Sequence, residues 1–120
     1  MNVDPVYAII ERHKALSAAY TAAADVSGKL GAGPEFEAAD AITAERCEAL
    51  FDYAETLICS EPTTIAGIVA SMRYVASLAE WQMPDEVWEI EENPSATWHQ
   101  AFLNTIALAI EAILSKGVAA

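Results

Sequence analysis

The stretch Asp4–Leu30 reads DPVYAIIERHKALSAAYTAAADVSGKL, and it decides the fold class. Proline suits the first turn of a helix, because its missing N–H would have no partner there and its fixed φ is already helical. Behind Asp4-Pro5, the residues Val6, Ile9, His13, Leu16, Tyr20, Ala23, Ser27 and Leu30 recur in steps of three and four. That is the stripe of a helix packed along a neighbour. Gly28 or Gly31, with Lys29 at the carbonyl end, supplies the stop. The reading is one helix from Asp4 to about Gly28, with Asp4 as its cap.

The same punctuation returns at Gly33-Pro34, Glu61-Pro62 and Asn93-Pro94, at intervals of 29, 28 and 32 residues. A second helix is expected over about Glu35–Ser60, with Phe36, Ala39, Thr43, Cys47, Leu50, Ala54 and Leu57 inward. A third is expected over Thr63–Trp81, capped by Thr63 or Ser60, with Arg73 and Glu80 its only charges. Pro84 interrupts, and Trp81–Asn93 reads as a connection with room for one short helical turn. The fourth helix is expected to start near Pro94 and to stop at Gly117, with a narrow polar stripe of Gln100, Asn104, Glu111 and Ser115. Short connections favour antiparallel neighbours. The expected architecture is all-α, an up-and-down bundle of four main helices in a single domain spanning 1–120.

Composition sets the function classes. Hydrophobic residues make up 54% of the 120, and eighteen acids against six bases give a net charge of −12. Such a charge repels phosphate backbones and anionic lipid, so neither nucleic acid nor membrane is an expected partner. The richest apolar run, Ala101–Leu114, is too short for a bilayer and is broken by Asn104, Thr105 and Glu111. The first residues lack the basic block and apolar core of a leader peptide. Cys47 and Cys59, twelve residues apart on one helix, sit ~18 Å from each other, outside disulfide range. They read as reduced and buried, and the expected setting is the cytoplasm.

The third and fourth helices are apolar over more of their circumference than one small bundle needs, which predicts a homodimer through either of them. The segment Glu80–Glu92 holds six acids and no base among thirteen residues, yet carries Trp81, Met83, Trp88 and Ile90. Its acidic flanks suit a segment that offers Trp88, Ile90 and Val87 to a protein partner. Trp81 continues the third helix and is expected to lid the bundle, whereas Trp88 is expected to be exposed.

His13 lies mid-stripe, and with Tyr20, Arg73 and Tyr74 it makes the one candidate ligand site. Helical-bundle metal sites use Glu-x-x-His pairs; none is present, so His13 reads as structural and no metal or cofactor is expected. The lone Arg73 is expected to pair with an acid of the second helix. Glu45, Glu48, Asp52 and Glu55 form an acidic ridge that reads as a solvated face. Gly28, Gly31 and Gly33 close a helix rather than open one after a strand, so they are not a phosphate loop. The leading reading is a non-enzymatic interaction module that homo-oligomerises. The alternatives are a small-molecule or metal-binding bundle, an enzyme included, and an acidic mimic of nucleic acid.

Asp4-Pro5 with Ile9 and Glu11-Arg12-His13-Lys14, then Pro62-Thr63-Thr64-Ile65-Ala66-Gly67 and Arg73-Tyr74-Val75, resemble a group of short helical hypothetical proteins from alpha-proteobacteria. The resemblance spans about a third of the chain. It implies a bacterial, accessory role and carries over no activity.

Overall fold

The computed structural model describes residues 3–117. Four helices, α1 (Val6–Gly28), α2 (Pro34–Cys59), α3 (Ile65–Ala76) and α4 (Trp98–Ser115), account for most of them. Between α3 and α4 lie a 3-10 turn at Glu80–Gln82 and two short strands, β1 (Trp88–Ile90) and β2 (Asn93–Ala96). The chain is therefore mostly helical and not purely so.

Each departure from the expected boundaries has a local cause. Pro34 opens α2 as read, but the cap of α3 is Thr64, whose hydroxyl accepts from the Gly67 N–H at 2.9 Å. α3 ends at Ala76, several residues before the expected Trp81. There the Gln82 side chain supplies a competing structure: its amide oxygen accepts from the Ala79 N–H (2.9 Å), and its amide nitrogen donates to Ser17 Oγ (3.1 Å). Pro94 sits inside β2, not at a helix start. The start of α4 is fixed instead by Thr97 and Gln100, each of whose side chains bonds the other's backbone N–H. This is the reciprocal cap encoded by Thr-x-x-Gln. At the far end Gly117 adopts a φ of 70°, which glycine reaches without steric cost, and α4 stops.

The strands pair antiparallel, Trp88 opposite Ala96 and Ile90 opposite Asn93. The hairpin packs on α4, burying Met83, Trp88 and Ala96 beside Trp98 and Phe102. The most extensive helical contacts are α1–α2, α2–α4, α1–α3 and α3–α4, so the four close a ring in the order α1–α2–α4–α3. The core fills one half of an elongated molecule, 61 × 35 × 19 Å. Leu50, Ala54, Leu57 and Ile58 of α2 are buried, while Phe36, Ala39 and Cys47 are half-buried. Beyond Leu50, α1 and α2 continue as a two-helix projection whose one fully buried position is Ser27, bonded to Thr43 Oγ1 at 3.1 Å.

Two expectations about single residues are overturned. Cys59 is exposed rather than buried, because it falls opposite the inward Leu57–Ile58 face; Cys47 is half-buried and both thiols are free. Arg73 makes no ion pair among the described residues, where the pairs are Lys14–Glu11 and Lys29–Asp25. The second-helix acids lie out of its reach because α3 packs on α1 and α4.

Candidate functional site

The site begins with the contact that sets α1 against α3. Asp4 is buried, and its carboxylate accepts from the Thr63 and Thr64 N–H groups (both 3.0 Å), from Thr64 Oγ1 (2.8 Å) and from the Val6 N–H (3.2 Å). One side chain thus satisfies orphan N–H groups ahead of α3 and places a negative charge at its positive end. Gly67 makes room for it, since a Cβ there would overlap the Asp4 carboxylate.

Further along the same pair, His13 Nδ1 lies 2.6 Å from the Tyr74 hydroxyl. The contacts Asp4–Thr64 and His13–Tyr74 advance together, so α1 and α3 run in the same sense. His13 is fully buried and its Nε2 has no hydrogen-bond partner among the described residues. Burial lowers the imidazole below its ordinary 6.5, against a smaller upward pull from the Gln82 backbone. The Tyr74 phenol is pushed up to about 12, first by burial and then by the Glu11 charge, with Ser17 pulling the other way. At neutral pH the two rings are uncharged and share one hydrogen bond. The pair ties α1 to α3.

On the outer side of Tyr74 a cleft of about 390 Å³ separates α1 from α3, lined by Tyr7, Ile10, Glu11 and Lys14 of α1 and by Ala70, Arg73 and Tyr74 of α3. The Lys14 ammonium sits 5.7 Å from the centre of the Tyr74 ring. Of the four residues singled out as a candidate ligand site, His13, Arg73 and Tyr74 are thus brought together. Tyr20 is not: it lies two turns further along α1, stacked on Trp81 at 5.6 Å.

A second cleft, about 310 Å³ and almost wholly apolar, opens between the end of α3 (Met72, Val75, Ala76) and the start of α4 (Trp98, Phe102, Leu103). From it, exposed apolar side chains run along each helix: Ile65, Val69 and Met72 on α3, and Leu103, Ile110 and Leu114 on α4. A third and larger cleft, about 530 Å³, lies between residues 80–87 and 95–99, with Glu80, Asp85 and Glu86 on its wall.

The acidic tryptophan segment reverses the expectation for its two rings. Trp88 is only 7% exposed, held under the hairpin against α4, whereas Trp81 is 48% exposed. The reason is the strand pairing: alternation along β1 sends Trp88 inward, while the early end of α3 turns Trp81 out onto Tyr20. Val87 is well exposed and Ile90 half-buried. The Trp88 indole N–H is buried without a partner among the described residues. Glu45, Glu48, Asp52 and Glu55 are all exposed, as a solvated ridge requires. No cluster of three or more metal-ligating side chains occurs among the described residues. None of the described helices is long and apolar enough to cross a membrane.

Local reading gives Asp4 as a cap of its own helix, which the Val6 N–H bond bears out, but not the Asp4–Thr64–Gly67 clamp. Its trace in the sequence is the pair of Asp-Pro and Pro-Thr-Thr-x-x-Gly starts, but nothing in one chain says that they meet. The geometry defines a mostly helical protein with one charged and one apolar interhelical cleft. Comparison with protein-family models, with curated proteins and with solved structures finds no match.

Proposed function

We propose that this chain is a non-enzymatic, cytoplasmic helical module that acts as a homodimer, with the α3–α4 face as its isologous interface. The observation that supports it is the set of exposed apolar side chains that flank the apolar α3–α4 cleft. Ile65, Val69, Met72, Leu103, Ile110 and Leu114 are each 39–64% exposed, together about three whole aliphatic side chains left in water. Covering that much surface on both copies returns roughly 9–18 kcal/mol, comparable with or above the ~4–15 kcal/mol cost of immobilising two bodies. Soluble monomers rarely leave such a patch bare. The patch also suits a like-charged copy, because residues 65–78 contain no acid in a chain of net charge −12.

The helices read as alternating up and down along the chain, which the shared sense of α1 and α3 supports. A bacterial, accessory role fits the resemblance carried by Asp4-Pro5 and Pro62–Gly67. A further protein partner at the acidic segment would be met by the side chains exposed there, Trp81 and Val87, over the carboxylates of the third cleft.

Light scattering tests the dimer. The expected mass is twice the 12.8 kDa of the chain, and Leu103→Glu or Met72→Glu should halve it without loss of helix. Leu108→Glu is the control, since Leu108 lies roughly 140° round α4 from Leu103 and is already exposed. A wild-type monomer at tens of micromolar overturns the reading.

A further inference from the structure

We propose that the cleft between α1 and α3 binds a small aromatic monocarboxylate, its carboxylate held by Arg73 and Lys14 and its ring seated against Ile10, Ala70 and Tyr7. The chain has six bases and eighteen acids, yet two of the bases line this one cleft and a single acid, Glu11, lines it with them. Glu11 engages Lys14 at 3.4 Å with both side chains more than half exposed, a pairing that contributes little and is readily exchanged. Arg73 has no ion pair and no side-chain hydrogen bond among the described residues, so its planar fork is free for a bidentate carboxylate.

The remaining walls are apolar or aromatic, and Ala70 is small enough to leave the floor open. The volume, about 390 Å³, falls in the lower part of the range for small-molecule sites and suits one ring rather than a nucleotide. A polyanion is further disfavoured by the charge of the whole chain, which one carboxylate opposes least. The Tyr74 wall is set in advance: its hydroxyl is bonded to the fully buried His13, so the ring need not be ordered on binding. Ala70 and Tyr74 turn towards α1, while Arg73, one turn on from Val69, stands at the border between the cleft and the Ile65–Val69–Met72 stripe; the cleft is complete within one protomer, so this inference does not depend on the dimer.

Benzoate is the probe, titrated into isotopically labelled protein and followed by the amide signals of Tyr7, Ala70 and Tyr74. Saturable shifts in the millimolar range or below are expected with benzoate. Weaker binding is expected with neutral benzyl alcohol and weaker still with benzylamine. Arg73→Gln and Lys14→Gln, both at exposed positions, should keep the helical spectrum and weaken benzoate by about tenfold or more, the scale of a charge-assisted pair. The dimer-breaking Leu103→Glu should bind benzoate as the wild type does. The proposal is overturned by failure to saturate below roughly 10 mM, where the free energy becomes too small for specific recognition. Benzylamine binding as tightly as benzoate, or unchanged affinity in a folded Arg73→Gln protein, overturns it equally.

Discussion

Replacing Asp4 with alanine should be among the most damaging single changes in this protein, although Asp4 lies at the edge of the described chain. Its buried carboxylate accepts from the N–H groups of Thr63 and Thr64, from the Thr64 hydroxyl and from the Val6 N–H. Hydrogen bonds to a charged group contribute about 1.5–3 kcal/mol each, and removing the acceptor strands the donors. Because the four share one carboxylate their contributions do not add, so a loss of about 3–4 kcal/mol is expected, read as a shift in the urea midpoint at constant slope. The stronger prediction concerns Gly67, whose missing Cβ makes the space that the carboxylate occupies. Gly67→Ala should destabilise the wild type by displacing Asp4. In the Asp4→Ala background the same change should cost much less, the remaining close neighbour being Thr64 Oγ1 at 3.1 Å, offset by the usual gain of about 1 kcal/mol of alanine over glycine within a helix. The double-mutant cycle therefore shows a large coupling between Asp4 and Gly67. If Asp4→Ala costs less than about 1 kcal/mol, or Gly67→Ala costs the same in both backgrounds, the clamp does not hold α1 to α3 as described.

The two tryptophans of the acidic segment should separate cleanly in chemical denaturation: Trp88→Ala should cost about 3–5 kcal/mol through lost burial and the cavity left behind. Trp81→Ala, at a half-exposed stack, should cost under about 1 kcal/mol, and acrylamide should quench Trp81 far more than Trp88. Burial keeps folded His13 neutral below its ordinary 6.5, so the unfolded chain takes up the proton first as the solution is acidified. Stability from this site is complete above about pH 6.5 and falls as pH drops towards the lowered folded value; unfolding curves from pH 8 to 5 should show that decline, and His13→Leu should flatten it.

Much of the fold was legible because helices are written locally. Of the expected stripe of α1, Val6, His13 and Ser27 are buried and Ile9, Leu16, Tyr20, Ala23 and Leu30 half-buried, with Ile10 and Ser17 buried beside it; on α2, Leu50, Ala54 and Leu57 are buried as their spacing requires. The stop at Gly117 and the solvated ridge from Glu45 to Glu55 also follow from neighbours along the chain. The β-hairpin was not legible, since three- and four-residue strands around Glu91-Glu92 carry too short a period to stand out from an acidic loop. The Thr97–Gln100 cap was available as a motif and would have moved the start of α4 away from Pro94.

What the sequence by itself determined is the set of four helices and the inward positions Val6, His13, Leu50, Ala54 and Leu57 on the first two, because capping, proline geometry and apolar spacing act within a few residues. Which helices meet was decided only by the tertiary structure, through contacts about sixty residues apart such as Asp4 with Thr64 and His13 with Tyr74. Those contacts made Asp4, which still accepts from the Val6 N–H of its own helix, an anchor for α3 as well, and they set Arg73 and Lys14 on one cleft. They also left one face of α3 and α4 uncovered. The physical reason is that packing minimises the exposed area of the whole ring of helices at once, a quantity that no local window of sequence contains.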